Sequence, residues 1–146
     1  MRRLKCAAYA LLILCLTRVA AAEPPRNITF DAFKFEMQKG DPFERKMLTP
    51  GIEKLVGKKI RIRGWILSGA EATGITEFYL LRHNLECCFG PEAFLYDNML
   101  VKLNPGVTTN YTTLPVAVDG VFEVHEMKMS DGTWGSIYLL NAEQVK

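Results

Sequence analysis

Apolar and polar positions along this chain keep two different periods, and the change falls near residue 58. Before it, Phe30, Phe33 and Met37 recur at helical spacing behind Thr29, a plausible N-cap, and Gly40-Asp41-Pro42 stops the run. A second short helix is predicted from Thr49-Pro50 through Leu55, with proline in its first turn, Gly57 past its end and an apolar face of Ile52, Leu55 and Val56. After residue 58 the period is two. Ile60-Arg61-Ile62-Arg63-Gly64-Trp65-Ile66-Leu67 and Val116-Ala117-Val118-Asp119-Gly120-Val121-Phe122-Glu123-Val124 each alternate around a glycine, the mark of a long strand that bulges or bends there.

Three more strands are predicted at 76–82, 99–103 and 136–140, with Asn104-Pro105-Gly106 closing one and Ser130-Asp131-Gly132 joining the last two as a hairpin. The expected fold is mainly β: a small five-stranded OB-like Greek-key barrel after a short N-terminal helical segment, with a small sandwich as the nearest competitor. The run Pro91 to Tyr96 breaks the strand pattern and reads as one helical turn.

The N-terminus sets the expected location. Arg2, Arg3 and Lys5 precede an apolar run from Cys6 to Leu16, and Ala20-Ala21-Ala22 precedes Glu23. That order is the layout of a secretory signal cleaved after Ala22. Lipid attachment at Cys15 is disfavoured because Leu14, not a small residue, precedes it. The expected division is therefore a signal peptide at 1–22, a mobile lead-in at 23–27 and one OB-like β-barrel domain at 28–146, exported to the periplasm or the outside. No stretch is long enough to leave a membrane-spanning helix after cleavage. Cleavage removes four basic residues and no acidic one, so the formal charge of +2 belongs to the precursor and the mature chain is mildly acidic. A nucleic-acid partner is not expected from that balance.

Removal of the signal leaves Cys87 and Cys88, adjacent in Glu86-Cys87-Cys88-Phe89-Gly90-Pro91. Consecutive Cα atoms lie ~3.8 Å apart, short of the ~4.4 Å an unstrained disulfide needs, so the pair does not bridge itself at ordinary geometry. In a bend released by Gly90 two thiolates can converge on one soft cation, zinc or copper, with His83 and His125 as further candidate metal ligands. Three readings stay open: structural cysteines with Cys87 packed inward, metal ligation, and thiol redox chemistry, the last lacking the usual Cys-x-x-Cys loop.

Lys58, Lys59, Arg61 and Arg63 form a basic cluster on the first long strand, and Trp65, Phe78 and Tyr79 stand near it as candidate stacking aromatics. A solvated strand face accounts for the same residues. Trp65 and Trp134 are expected to pack across the barrel, and Asn27-Ile28-Thr29 and Asn110-Tyr111-Thr112 match the glycosylation sequon. No serine elbow, phosphate loop, zincin helix, haem motif or paired-carboxylate site is present, which points away from an enzyme.

The runs Phe35 to Phe43, Met47-Leu48-Thr49-Pro50, Val56 to Gly64, Thr73 to Phe78 and Cys87-Cys88-Phe89-Gly90-Pro91 together resemble an uncharacterised bacterial family of exported proteins, known as a domain of unknown function. The resemblance spans Ile28 to Leu140. It implies an envelope location and no established activity, and the company some members keep with transporter components linked to metal uptake adds weight to the reading of a zinc- or copper-binding accessory role. A better-known branch carries Gly-Ala-Cys-Ile-His, then prolines, where this chain has Glu86 to Pro91, so the histidine two places after the cysteine is missing here. The resulting expectation is a small exported binding module serving an envelope transporter component or another envelope protein. The alternatives are an envelope scaffold or adaptor with structural cysteines, and a thiol redox protein.

Overall fold

The computed structural model describes residues 23–38, 41–84 and 94–146. Six strands occupy most of it: β1 (Arg26–Ile28), β2 (Lys59–Leu67), β3 (Glu77–Leu81), β4 (Asn98–Leu103), β5 (Val116–Lys128) and β6 (Trp134–Val145). They form one mixed sheet in the order β1-β2-β3-β4-β6-β5, and β2 also pairs with β5. The β1/β2 and β4/β6 pairs are parallel and the others antiparallel.

Two glycines make the double pairing of the long strands possible. Through Gly64, β2 lies against β5, and from Trp65 onward it lies against β3. A Cβ on Gly64 would sit 2.5 Å from the carbonyl oxygen of Leu81. In β5 the register shifts between Asp119 and Gly120, and a Cβ on Gly120 would sit 2.5 Å from the carbonyl oxygen of Asn141. No side chain fits at either distance, so a residue without one is needed where the backbones close in. The glycine-centred strands of the sequence pattern thus change partner at Gly64, from β5 to β3, and shift register against β6 at Gly120.

The N-terminal part departs from expectation in two ways. Arg26 and Asn27, assigned to a mobile lead-in, begin β1 and pair with Ile60 and Arg61, which raises the strand count from five to six. The helix predicted across Phe30 to Met37 is a single 3-10 turn, Phe30–Phe33, and Thr29 makes no side-chain cap. Tertiary packing overrides the helical spacing. Phe33 and Phe35 are both buried, and extended backbone at Lys34, between them, turns Phe35 toward Phe43 and Tyr96, with ring centroids 6.0 and 5.6 Å away.

The second helix forms as α1 (Pro50–Glu53), where Thr49 Oγ1 accepts a hydrogen bond from Ile52 N and Gly57 follows at φ 74°. A further 3-10 turn, Leu95–Asp97, leads into β4 where one turn from Pro91 to Tyr96 was expected; residues 91–93 lie outside the described set.

Inward-facing Ile60, Ile62, Ile66, Phe78, Leu80, Met99, Val101, Val118, Phe122, Tyr138 and Leu140 make the core. At its centre Phe33, Phe122 and Tyr138 form a triangle of rings 4.9, 5.2 and 5.4 Å apart. The Tyr138 hydroxyl donates a 2.8 Å hydrogen bond to the Phe33 carbonyl, and burial drives its pKa far above that of an ordinary phenol. This bond ties the N-terminal segment to β6. Tyr138→Phe leaves a buried carbonyl unpaired and is expected to cost about 1–3 kcal/mol. In urea unfolding the midpoint should fall with an unchanged slope.

Candidate functional site

Residues paired across neighbouring strands share a face, so the registers define rows on the outer side of the sheet. One row runs Trp65, Leu81, Asn98 and the next runs Leu67, Tyr79, Leu100, Leu139. Leu81, Leu100 and Leu139 are buried although they point away from the core cluster, so this part of the outer face is apolar where a solvated one is usual, and the adjoining row Glu77, Lys102, Asn141 is polar. Asn98 is only 5% exposed and its Oδ1 has no hydrogen-bond partner among the described residues. Beside the first row Trp65, Leu67, Leu81, Asn84, Tyr111 and Thr112 line a hollow of about 150 Å³. Its outer wall is held by the bridge between Ile75 and Thr109 and by Tyr111 N donating to Ala72 O at 2.9 Å. Tyr111 and Leu114 stay exposed there.

The connection from β3 to β4 is pinned at its base. Arg82 N donates to the Asp97 carbonyl at 2.9 Å, and the Arg82 guanidinium reaches Asp97 Oδ1 at 3.3 Å and Asp31 Oδ1 at 2.6 Å. Lys34 Nζ lies 2.9 Å from the same Asp31 oxygen. The hydrogen bond from Lys34, with the nearby Arg82 charge, holds the Asp31 carboxyl below the usual range.

His83 follows this clamp and is exposed in a bend; His125 is exposed on β5. Their strands are not neighbours in the sheet, since β4 and β6 separate β3 from β5 in its order. Cys87 and Cys88 lie outside the described residues, and among the described residues no group of three or more His, Cys, Asp or Glu is placed to hold a metal ion.

The basic cluster is divided by its partners. Arg61 and Asp119, directly opposite each other on β2 and β5, form a two-pronged ion pair with both N–O distances 2.6 Å, and Gln144 Nε2 donates to the same carboxylate. Lys59 pairs with Glu143. Two of the four cations are therefore already countered, as a solvated strand face would have it. Phe78 is buried in the core, so it is no stacking platform. Of the two tryptophans expected to pack across the barrel, Trp134 is half-buried against the core and Trp65 is not among the residues packed on it. Trp65 borders the hollow, while Trp134 packs edge-on to Phe43 at 5.7 Å with Lys128 Nζ 4.5 Å above its ring.

Sequence reasoning passed over Arg82, Asp97 and Asn98, whose significance arises from pairings between segments far apart in the chain. It also passed over Met127 and Met129, which alternate after His125 and carried a readable signal in that spacing.

The family model for a protein of unknown function, DUF3299, matches residues 24–146. The chain belongs to this family. A crystal structure of a DUF3299 protein from Pseudomonas aeruginosa PAO1 aligns with a TM-score of 0.58 and 22% identity, covering 84% of this chain and 95% of that one. At that identity the likeness is one of fold. No curated protein matches the chain. Among the described residues no helix is long and apolar enough to cross a membrane.

The hydrogen bonds from Arg61 hold the Asp119 carboxyl below its ordinary range against the opposing effect of burial. Because this pKa is lower in the folded chain than in the unfolded one, the contribution to stability is complete above the unfolded value and is lost as pH falls through the folded one. Wild type should lose stability between about pH 5 and pH 2 more steeply than Asp119→Asn, in chemical unfolding followed at a series of pH values.

Proposed function

We propose that this chain is an exported, non-catalytic binding module that carries zinc or copper for an envelope transport system, presenting the ion from the connection between β3 and β4. The observation that carries this reading is the clamp of Arg82 on Asp97 and Asp31, which fixes both ends of the segment containing Cys87 and Cys88 on a rigid frame. A binding site is more selective when rigid elements support its loop. Adjacent thiolates supply soft donors suited to zinc or Cu(I), and His83, exposed at the foot of the loop, adds an imidazole.

The frame itself is read as an OB-like Greek-key barrel. Support comes from the order β2-β3-β4-β6-β5 with β5 returning to β2, and from the parallel β4/β6 pair that this order demands. Export rests on the basic, apolar and small-residue order of residues 1–22.

A second reading, an envelope scaffold with structural cysteines, draws on the apolar outer face and on Tyr111 and Leu114 exposed beside the hollow. Elemental analysis with a free-thiol count on the chain from Glu23 separates the readings. The carrier reading expects bound zinc or copper that falls by one equivalent per chain in Cys87→Ser with Cys88→Ser. Unchanged metal content in that variant refutes it. A metal-free protein of undiminished stability favours the scaffold, and thiols that oxidise and reduce reversibly favour redox chemistry.

A further inference from the structure

The β5–β6 hairpin ends in a tight turn in which Met129 N donates to Thr133 O at 2.8 Å, Gly132 N donates to Met129 O at 3.0 Å and Gly132 takes φ 84°. Asp131 Oδ1 accepts from both Thr133 N and Thr133 Oγ1, which braces the tip. Just below it, three side chains crowd the space above Gly135. A Cβ there would meet Met129 Sδ at 3.0 Å, Met127 Cε at 3.1 Å and Tyr79 Oη at 3.2 Å. Met127, near the end of β5, and Met129, just past it, thus approach one point that only a glycine leaves open, Met129 by its sulfur and Met127 by the methyl end of its thioether.

Met129 is 48% exposed, among the few large apolar side chains left in solvent. A residue chosen for packing alone gains little there. His125 is exposed two positions before Met127, where the register slips between Val124 and Met127. Bulges of this kind commonly re-aim a side chain.

We propose that Met127, Met129 and His125 form a Cu(I) site on this hairpin, distinct from the Cys87–Cys88 loop. Thioether sulfur is a soft, neutral donor that selects Cu(I) over the harder divalent ions, and imidazole completes such a set. The charged groups on the same stretch are Glu126, Lys128 and Asp131. Lys128 is drawn toward the Trp134 ring, and Asp131 is occupied with Thr133. Low ligand charge suits a monovalent ion held near the surface and open to transfer.

The test uses the chain from Glu23 carrying Cys87→Ser and Cys88→Ser, so that no thiol contributes. Cu(I) is supplied anaerobically as its bicinchoninate complex, with ascorbate as reductant. The expected result is one Cu(I) withdrawn per chain, with sulfur scattering in X-ray absorption. Met129→Leu should weaken binding about tenfold or more, and Met127→Leu with Met129→Leu should weaken it about 100-fold or more. His125→Ala should lose about tenfold or more and the nitrogen scattering with it. Leucine conserves the volume of methionine, so the fold is expected to survive, as circular dichroism will report. Met129→Leu alone, at an exposed position, keeps the test valid if the double variant unfolds. Absence of Cu(I) uptake by the thiol-free chain, or unchanged affinity in the leucine variants, overturns the proposal while leaving the cysteine reading to its own experiment.

Discussion

The whole arrangement depends on two places where backbone presses on backbone with no room for a side chain. At Gly64 and Gly120 the space a Cβ would take is already occupied by a carbonyl oxygen of the neighbouring strand. Those close approaches let β2 run from β5 onto β3 and let β5 lie between β2 and β6, which brings the fifth strand back against the second. Without them the inner face would open, and the aromatic triangle of Phe33, Phe122 and Tyr138 would lose its enclosure.

Once the strands are held this way, alternation assigns every side chain to a side. Inward positions are filled by Ile, Leu, Val and Phe, and the N-terminal segment is drawn across them by Phe30, Phe33 and Phe35. Outward positions then differ by region. On β2 and β5 they are charged and matched, with Arg61 on Asp119 and Lys59 on Glu143. Around Leu81, Leu100 and Leu139 they are apolar and include the Asn98 amide oxygen, which has no partner among the described residues, while the adjoining row Glu77, Lys102, Asn141 is polar. The outer surface is thus divided between an ionic region on β2 and β5 and an apolar region on β3, β4 and β6.

The two copper or zinc readings share a physical design despite their different donors. Each puts soft ligands on a short connection whose base is tied to the sheet, by the Arg82 clamp in one and by the turn around Gly132 in the other.

Residues in contact through short-range pattern were legible in advance: five strands, both glycine bends, the 130–132 hairpin and the capped turn at Thr49 follow from spacing and turn chemistry that act locally. The helix expected at Phe30 to Met37 did not follow, because Phe35 gains more by packing on Phe43 and Tyr96 than a helix offers. Nor did β1, three residues whose polar sequence carries no strand signal until Ile60 to Ile62 supply the ladder. Candidate donors could be named from the chain, but their company could not. Only the tertiary structure decided that His83, in the bend after β3, and His125, on β5, belong to strands that do not pair, that Arg61 is already paired, and that Met127 and Met129 both reach Gly135, because each of these depends on segments that sequence separates and strand order brings together or holds apart.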